Sequence, residues 1–469
     1  MRESGPSGAD VRQVDVVVVG GGPAGEVVAG RCADRGLDTV LVERELVGGE
    51  CSYWGCIPSK TLVRPGDVLA AARRVPGAAA AVRGPLDVAA ALARRNYMTS
   101  GWSDDGQERW LADHGVGLIR GSGRLAGPRR VAVDSGPTVS ARRAVVLATG
   151  SSPVTPPVPG LAEVRAWDNR SATAAKEVPA RLLVLGGGAV GLELAQAFRR
   201  LGCDEVTVVE GAARLLPREE SFAGDQVRAA LEQEGIDVRV GTLLTAVERE
   251  GTDGPVRATL STGDRIVADE VLVAVGRRPR TGDLGLETVG LTSGRAVDVD
   301  DRLRAVRVPD GWLFAVGDCT GLAPFTHMGK YQARVAADVL TGRDTRDRAS
   351  RGAVPRVTFT DPQVCAVGLT TAEAAERGVA LRVIDVGTGD VPGAYVLGED
   401  QSGTTRLLVD ADRQVLVGVT ITGRGVQELL HSATVAVAAQ LSLSDLQHAV
   451  PAFPTVAEVW LHALEAAGF

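Results

Sequence analysis

The chain has 469 residues, enough for more than one domain, and 45% of them are hydrophobic, which is ample material for large cores. It carries 51 Lys and Arg against 58 Asp and Glu, a net charge of -7, which argues against nucleic acid and anionic membranes as partners. Residues 1–12 are polar or small and are predicted to form a disordered extension. No signal peptide or membrane-spanning stretch is recognised. We therefore expect a cytoplasmic protein, in which a close cysteine pair is more often catalytic or metal-binding than structural.

The first predicted element is a β-branched strand at residues 15–19, the pattern of a buried parallel strand. It runs into residues 20–25, which fit G-x-G-x-x-G, and a helix is predicted from there to Arg35. A second strand at residues 39–42 ends at Glu43. The glycines allow a tight turn and close approach to a pyrophosphate, and the acid is correctly spaced for an adenosine ribose. The segment therefore predicts a dinucleotide site.

Cys51 and Cys56 follow, five positions apart. Five steps along a regular helix turn a side chain by roughly 140° and raise it about 7.5 Å, whereas a disulfide needs Cα atoms about 5.5–6 Å apart. A disulfide here requires a distorted helix, with Gly55 and Pro58 as the predicted causes, and a strained, accessible disulfide is the labile, catalytic kind. A zinc site would need two further ligands at suitable spacing. The remaining cysteines are scattered and are predicted to be buried small hydrophobes: Cys32, Cys203, Cys319 and Cys365.

Helical patterns rich in Ala and Arg fill residues 62–118. A strand ending in a tight loop is predicted at residues 145–151, and the Pro-rich connector at 153–159 marks a domain boundary.

A second dinucleotide unit repeats the first. A strand at residues 182–185 runs into G-x-G-x-x-G at 186–191, and the next strand, 206–209, ends at Glu210. Because a single coenzyme does not need two such units, two dinucleotides are predicted. The Glu210 carboxylate repels a 2′-phosphate and so favours NAD(H) over NADP(H), although Arg214 complicates this preference.

A strand at residues 271–275 closes the second unit, and a strand at 313–316 is predicted to return to the first domain. Residues 341–352 are polar and charged and are predicted to form a linker. The remainder, about 355–469, alternates β-branched strands with Ala-rich helices and carries no nucleotide motif.

These motifs resemble those of the class I pyridine nucleotide-disulfide oxidoreductases, which include dihydrolipoamide dehydrogenase, glutathione reductase and mercuric reductase. The resemblance covers the chain after about the first dozen residues. Its motifs lie at residues 49–60, 148–150, 186–193, 276–277, 317–318, 359–362 and 367–370.

The resemblance implies an α/β fold with two Rossmann-like domains and a C-terminal α+β dimerisation domain. The implied FAD domain comprises residues 13–152 and 277–345, the NAD(P) domain residues 153–276, and the dimerisation domain residues 350–469. It also implies a homodimer whose active sites lie between subunits, acting on a small-molecule acceptor.

The resemblance further implies roles for single residues. Cys56 lies against the flavin and forms the charge-transfer thiolate, and Cys51 faces the substrate and performs thiol exchange. Lys60 pairs with Glu193 and stabilises negative charge on the reduced flavin. The implied FAD contacts are Gly20, Gly22, Pro23, Ala24, Gly25, Glu43, Arg44, Gly49, Cys56, Lys60, Gly123, Thr149, Gly150, Ser151, Gly317, Asp318 and His327. The implied NAD(P) contacts are Gly186, Gly188, Val190, Gly191, Glu193, Glu210 and Gly276.

The sequence departs from the family near its end. Disulfide reductases of the family have His-Pro-Thr-x-x-Glu, whose His is the general base, and here Phe453 stands in that position while Glu458 remains. Such bases contribute roughly 10²–10⁴ in rate. His448 lies five residues upstream of Phe453, and nothing in the sequence assigns it to the site. A mercuric reductase is expected to carry a C-terminal cysteine pair, which this chain lacks.

Aromatic residues also stand between the two cysteines, where the family usually has small or polar ones. Tyr53 and Trp54 either pack locally or form, with Phe453, an apolar mouth for a flat substrate.

The leading hypothesis is an FAD enzyme that passes electrons from NAD(P)H through the Cys51/Cys56 pair to a disulfide or another small acceptor. The alternatives are a dihydrolipoamide dehydrogenase, a quinone reductase of the diaphorase type, and a flavin-binding protein without turnover.

Overall fold

The computed structural model describes residues 11–134, 136–252 and 254–469. Its strands are β1 (Val11–Val19), β2 (Thr39–Glu43), β3 (Gly117–Arg120), β4 (Gly123–Leu125), β5 (Arg130–Val133), β6 (Thr138–Leu147), β7 (Ser151–Pro153), β8 (Arg181–Leu185), β9 (Glu205–Val209), β10 (Asp237–Arg239), β11 (Leu244–Arg249), β12 (Val256–Leu260), β13 (Arg265–Ala268), β14 (Glu270–Val273), β15 (Arg277–Pro279), β16 (Leu313–Ala315), β17 (Arg356–Thr358), β18 (Gln363–Gly368), β19 (Leu381–Gly387), β20 (Thr404–Asp410) and β21 (Leu416–Gly423).

Helices connect these strands. They are α1 (Pro23–Asp34), α2 (Gly49–Tyr53), α3 (Cys56–Arg73), α4 (Val88–Met98), α5 (Asp105–Asp113), α6 (Asn169–Thr173), α7 (Ala189–Arg200), α8 (Ser221–Gln233), α9 (Thr326–Leu340), α10 (Thr371–Glu376), α11 (Pro392–Leu397), α12 (Leu430–Ala438), α13 (Leu443–Leu446) and α14 (Val459–Ala466).

The chain forms two compact units. Unit 1 contains the described part of Met1–Ile57 together with Asn96–Ser152 and Arg277–Arg351. Unit 2 contains Pro58–Arg95, Pro153–Gly276 and Gly352–Phe469. The sequence prediction placed residues 58–95 in the FAD domain. In the structure, residues 58–95 make most of their contacts within unit 2.

The predicted disordered extension at residues 1–12 is described only in part. Residues 1–10 lie outside the described residues. Val11 and Arg12 belong to β1, so the strand begins earlier than the sequence pattern indicated.

Unit 1 is built on a sheet in the order β3-β2-β1-β6-β5-β4, with β16 also paired to β6. β1 is the central strand, and Val16, Val17 and Val18 are completely buried, as a parallel strand covered on both faces requires. Val17 pairs with Val40 of β2 on one side and with Val145 of β6 on the other, all in parallel. The pairing of β16 with β6 confirms the predicted return of the chain to this sheet.

Unit 2 contains a second parallel sheet, β10-β9-β8-β14, built on the same plan. α7 follows β8 and buries Leu192, Leu194 and Phe198 in the core of this sheet. An antiparallel sheet, β11-β12-β13, belongs to the same part of the chain. The C-terminal segment forms a five-stranded antiparallel sheet in the order β17-β18-β21-β20-β19, so the predicted α/β class with a C-terminal α+β part is confirmed.

A buried carboxylate in unit 2 joins four distant segments. Asp361, which follows β17, accepts hydrogen bonds from Arg74 at 3.0 Å, Arg200 at 2.8 Å and Arg424 at 3.1 Å. Arg200 also binds Asp67 at 2.9 Å and Glu234 at 2.6 Å. The three guanidinium groups thus face three carboxylates, which compensates their charges away from water. We call this the Asp361 cluster.

Candidate active site

The first Gly-rich turn closes tightly between β1 and α1. Gly20 has φ +105°, and a Cβ there would lie 2.5 Å from the carbonyl oxygen of Ala148. A Cβ on Gly25 would lie 1.9 Å from the carbonyl oxygen of Gly20. Gly22 has no atom within 4 Å of its Cβ position, so the turn leaves open space beside the N-terminus of α1. A helix N-terminus with exposed backbone N–H groups and room beside it suits a pyrophosphate.

The acid predicted at the end of β2 is held in place by the backbone. Glu43 accepts hydrogen bonds from the N–H of Gly21 at 2.6 Å and of Glu45 at 2.7 Å, one on each carboxylate oxygen. Each oxygen has a second lone pair. Glu43 is therefore fixed at the strand end and can still accept a hydrogen bond from a ribose.

A cleft of about 790 Å³ opens in unit 1 beside this turn. It is lined by many residues of the predicted FAD set: Gly20, Gly22, Pro23, Ala24, Glu43, Gly49, Thr149, Gly150, Ser151, Gly317 and Asp318. Cys51 and Trp54 line the same cleft. The cysteine stretch and the first dinucleotide motif therefore belong to one site.

Several predicted FAD contacts do not line this cleft. Gly25 is needed for the close contact with Gly20 just described, and a Cβ on Gly123 would lie 3.1 Å from the side chain of Val42, so both glycines serve packing. His327 is exposed, and its ring stacks on Phe325 with centroids 5.5 Å apart. Arg44 and Cys56 also lie outside the lining, and Lys60 belongs to unit 2.

Charged residues that were not assigned to the site also line the cleft. Arg277 and Arg280 lie 3.5 Å and 3.6 Å from the carboxylate of Glu50. Arg277 also donates to the Ser151 hydroxyl at 2.8 Å, and that hydroxyl donates to Asp318 at 2.5 Å. Ser151 and Asp318 were predicted FAD contacts, whereas the Gly-Arg motif at residues 276–277 was the sequence signal for Arg277.

The helix that carries the two cysteines is interrupted between them. α2 ends at Tyr53, Trp54 takes φ −138° and ψ 0°, and α3 begins at Cys56. A Cβ on Gly55 would lie 3.0 Å from the carbonyl oxygen of Glu50, so a glycine is favoured at the break. Pro58 lies inside the first turn of α3, where proline is tolerated, and does not cause the break. The predicted distortion of the helix is present, and of the two predicted causes, Gly55 and Pro58, Gly55 is the one that lies at the break.

Both cysteines lie beside Thr326, the first residue of α9. The Cys56 Sγ is 3.3 Å from the Thr326 hydroxyl oxygen. A hydrogen bond to Cys56, followed by burial, raises the pKa of the Cys51 thiol, while the Thr326 hydroxyl and the charge of Lys330 act in the opposite direction. The hydrogen bond between the two thiols shows that their sulfurs are neighbours.

Tyr53 and Trp54 differ in their surroundings, although their ring centroids lie only 5.6 Å apart. Tyr53 is 1% exposed, and its hydroxyl lies 3.1–3.2 Å from the carbonyl oxygens of Val47 and Ser103 and the side chain of Gln107. The alternative in which Tyr53 lines an aromatic mouth is therefore wrong, because its ring packs into the interior of unit 1. Trp54 lines the cleft.

Lys60 and Glu193 form an ion pair within unit 2, with Nζ and Oε2 2.5 Å apart. Glu193 is almost completely buried, and its other oxygen accepts a hydrogen bond from the N–H of Phe359 at 2.9 Å. The Lys60 ammonium lies 4.8 Å from the centroid of the Phe359 ring. The charge of Glu193, unusual on a buried helix face, is thus balanced by one cation and one backbone donor.

The second Gly-rich turn reproduces the first. A Cβ on Gly186 would lie 2.5 Å from the carbonyl oxygen of Ala274, and Gly188 has open space. Glu210 accepts hydrogen bonds from the N–H of Gly187 and of Ala212, both at 2.6 Å. The guanidinium of Arg214 donates to the carbonyl oxygens of Leu216 and Pro217.

The remaining predicted NAD(P) contacts lie around this turn. A Cβ on Gly191 would lie 2.2 Å from the carbonyl oxygen of Gly186, so Gly191 serves the turn in the same way as Gly25 in unit 1. Val190 is exposed beside it, and Gly276 has φ +134° after β14.

The C-terminal candidates differ sharply in burial. Phe453 is 75% exposed, whereas Glu458 is 8% exposed. Among the described residues, the Glu458 Oε2 atom is buried without a hydrogen-bond partner. His448 lies after α13, and its backbone N–H donates to the carbonyl oxygen of Asp445 at 3.2 Å.

The four other cysteines are buried singly, as predicted. Burial raises the pKa of Cys32 to about 12 and that of Cys203 to about 11, so these thiols stay protonated at neutral pH. Within the described ranges, no helix combines the length and apolar character needed to cross a membrane.

The residues of unit 1 fit a flavin dinucleotide. The open space at Gly22, the anchored Glu43 and the cleft that continues to Cys51 match a pyrophosphate, a ribose and a redox-active ring system, respectively. Unit 2 repeats the turn and the acid and fits a second dinucleotide.

Two dinucleotide units and a cysteine pair on a broken helix define an FAD-dependent disulfide oxidoreductase. A sequence model of the pyridine nucleotide-disulphide oxidoreductase family matches residues 14–338, and a model of its dimerisation domain matches residues 354–464. The chain belongs to this family.

Characterised relatives differ in their named activities. The chain is 34% identical over 461 residues to dihydrolipoyl dehydrogenase of Thermus scotoductus, covering 97% of this chain and 98% of that one. It is 30% identical over 446 residues to mercuric reductase of Staphylococcus aureus, covering 95% and 80%. It is also similar to the Cu(II) complex of the HOCl-induced flavoprotein disulfide reductase RclA of Escherichia coli, with a TM-score of 0.84, 26% identity, and coverage of 96% and 99%.

Proposed function

We propose that this enzyme passes electrons from NAD(P)H to a small acceptor through the Cys51/Cys56 pair, and that the acceptor is one that needs no imidazole base. The observation that carries the proposal is that Cys51 lines the same cleft as the first Gly-rich turn and Asp318. FAD, when bound there, would take a hydride from the nicotinamide and deliver two electrons to the cysteine pair.

The chain's own residues prepare the thiols for exchange. The break at Trp54 and Gly55 lets the two sulfurs approach, and the Thr326 hydroxyl can donate a hydrogen bond to a thiolate at Cys56. We propose Cys51 as the exchanging thiol and Cys56 as the thiol next to the flavin, because these are the roles that the resemblance to the family implies for the first and second cysteine of the pair. The Lys60 and Glu193 pair is proposed to act in the same reaction.

The class of acceptor is proposed from two residues near the C-terminus, Phe453 and Glu458. Phe453 cannot carry a proton, and its exposed ring offers apolar surface. Glu458 is proposed to contribute its unpartnered oxygen to the same site. Acceptors that demand a base, such as lipoamide and glutathione disulfide, are expected to be poor substrates, and quinones or easily reduced disulfides are expected to be better ones.

NAD(H) is the proposed nucleotide. Glu210 keeps a negative charge at the end of β9, where a 2′-phosphate would lie. Arg214 already donates to two backbone carbonyl oxygens, which reduces its availability for a phosphate.

We further propose that the protein is a homodimer and that it acts in the cytosol. Residues 354–464 match the family's dimerisation domain. Exposed apolar side chains in this part of the chain, including Tyr395, Val396 and Val450, favour a contact with a second subunit.

A second candidate acceptor is cupric ion. Its support is the likeness to the RclA structure, which is described as a Cu(II) complex. Two adjacent thiols suit the reduction of copper, because thiolates are soft ligands and favour the Cu(I) product.

The test is an anaerobic titration of the purified, yellow protein with NADH and with NADPH, followed by an acceptor panel of lipoamide, glutathione disulfide, a benzoquinone and Cu(II). We expect one FAD per subunit, reduction at lower NADH than NADPH concentration, and slow turnover of lipoamide and glutathione disulfide. Cys51→Ser and Cys56→Ser should abolish reduction of thiol-dependent acceptors, while the matched control Cys32→Ala should not. A protein that binds no flavin after reconstitution, or cysteine variants that behave like wild type, would contradict the proposal.

A further inference from the structure

The N-terminus of α9 lies directly against the two thiols. Thr326, its first residue, contacts the Cys56 sulfur and interacts with the Cys51 thiol. Lys330 lies four residues later on α9, so its side chain shares the helix face of Thr326. It is one of three lysines in a chain with 51 Lys and Arg, and Lys60 is another.

A close helix contact brings one more charged group to this place. α1 and α9 cross where a Cβ on Gly329 would lie 3.4 Å from the Ala24 Cβ. Glu26 is on α1 two residues after Ala24, and Lys330 follows Gly329 directly. Burial raises the pKa of the Glu26 carboxyl to about 7, and the charge of Lys330 opposes that rise.

Lys330 therefore acts on two groups at once. Its charge lowers the pKa of both the Glu26 carboxyl and the Cys51 thiol, although burial and the Cys56 hydrogen bond dominate. The titratable groups on which its charge acts are Cys51 on α2 and Glu26 on α1, and the charge of Glu26 in turn raises the pKa of Tyr53.

We propose that Lys330 is the cation that supports Cys51 as the attacking thiolate in this chain, which has Phe453 at the position of the family's imidazole base. The proposal rests on the proposed function, because it concerns the thiol exchange of the same site. Lys330 does not accept the proton in this scheme. It stabilises the negative sulfur, as a nearby lysine, arginine or histidinium does for reactive cysteines in general.

The step is balanced for a disulfide acceptor. Cys51 loses its proton to water, and the thiolate attacks one sulfur of the acceptor, so that a Cys51–acceptor bond forms and the acceptor's own S–S bond breaks. The departing thiolate takes a proton from water. Cys56 then loses its proton to water and attacks the Cys51 sulfur, so that the Cys51–Cys56 bond forms, the Cys51–acceptor bond breaks and the second departing thiolate takes a proton from water. The pair is left oxidised by two electrons and the acceptor reduced by two.

The competing explanation is an ordinary solvated lysine on an exposed helix face. Arg334, one turn further along α9, is such a residue, since it is exposed and its guanidinium lies 6.0 Å from the Tyr331 ring centroid. The variant Arg334→Met is therefore a control, because it removes a positive charge from the same helix one turn further from Thr326.

The test measures the thiol directly and does not depend on turnover. The full-length holoenzyme is reduced with dithiothreitol, desalted anaerobically and treated with iodoacetamide from pH 5 to 10. Alkylation of Cys51 is followed by fragment-ion assignment in the tryptic peptide of residues 45–60. The variants are Lys330→Met, Lys330→Arg, Arg334→Met and Glu26→Gln.

Lys330→Met should move the alkylation profile of Cys51 upward by about half to one pH unit, the scale of one charge acting through partly solvated protein. Alkylation below the midpoint should then slow about three- to tenfold. Lys330→Arg and Arg334→Met should match wild type. Glu26→Gln should move the profile downward, because it removes the negative charge that offsets Lys330 above pH 7.

An unchanged profile in Lys330→Met, or an equal shift in Arg334→Met, would overturn the proposal. Reduction of a reactive aromatic disulfide such as 5,5′-dithiobis(2-nitrobenzoate) is measured in parallel. If wild type fails to reduce it with NADH, the proposed function is contradicted, while the alkylation comparison still decides the role of Lys330.

Discussion

A single methyl group added to one of the two Gly-rich turns should weaken binding of the dinucleotide at that turn and leave the other dinucleotide site unaffected. Gly22 and Gly188 have ordinary extended backbone angles, φ −72° and −88°, and no atom lies within 4 Å of either Cβ position. Alanine fits both positions without strain. The added methyl projects into open space next to a helix N-terminus, and in unit 1 that space belongs to the cleft.

The methyl should push a bound pyrophosphate away from the backbone N–H groups of α1 or α7. Losing about one charge-assisted hydrogen bond weakens binding by roughly 1.5–3 kcal/mol, or about 10- to 100-fold. Gly22→Ala should weaken FAD, measured by titration of the apoprotein, and leave NADH affinity unchanged. Gly188→Ala should weaken NADH, measured by the concentration dependence of flavin reduction, and retain FAD. Both variants should melt close to wild type.

The matched controls are Gly25→Ala and Gly191→Ala. Their Cβ atoms would lie 1.9 Å and 2.2 Å from backbone oxygens, so these variants should destabilise the fold as well as the site. If Gly22→Ala binds FAD with wild-type affinity, or if Gly188→Ala is the variant that loses FAD, our assignment of the two units is refuted.

Three further predictions concern single side chains. Phe453→His should raise disulfide reduction by NADH at least about tenfold, because an imidazole there can serve as the base and Glu458 has a free oxygen to orient it; efficient glutathione disulfide turnover by wild type would contradict this. Tyr53→Phe should lower the free energy of unfolding by about 1–2 kcal/mol in urea melts, since it removes the one buried O–H that can donate to any of three neighbouring oxygens. Asp361→Ala should lower it by about 3–5 kcal/mol, because three arginines lose their shared carboxylate. Burial alone would raise the pKa of Asp361, but Arg200, Arg74 and Arg424 together hold that pKa below its usual range. The contribution of Asp361 to the free energy of unfolding should therefore be lost as the pH falls below about 4. A wild-type protein that loses stability towards acid no more steeply than Asp361→Ala would refute this prediction.

Local spacing made much of the fold predictable. The strand, the Gly-rich turn and the acid at Glu43 or Glu210 follow one another within a few dozen residues, and each has a physical reason at its own position. The break between Cys51 and Cys56 was also predictable, because disulfide geometry excludes a regular helix over five residues.

Side-chain direction was not predictable in the same way. Tyr53 ends α2, and the break after it sends its ring inward, towards Val47 and Gln107, while Trp54 lines the cleft. Periodicity cannot choose between these directions once a helix is interrupted. The contacts of Glu50 with Arg277 and Arg280 join residues more than two hundred positions apart, and no short pattern identifies such a pair.

The Asp361 cluster has a consequence for the order in which the chain can be assembled. Arg74, Arg200, Asp361 and Arg424 all belong to it, so its last cation reaches the carboxylate only after nearly the whole chain has been synthesised. During translation, and in any fragment that ends before residue 361, Arg200 has only Asp67 and Glu234 as partners. A fragment that contains only residues 153–276 would lack Asp67 as well as Asp361, and so would leave Glu234 as the one carboxylate of the cluster that is present to pair with Arg200.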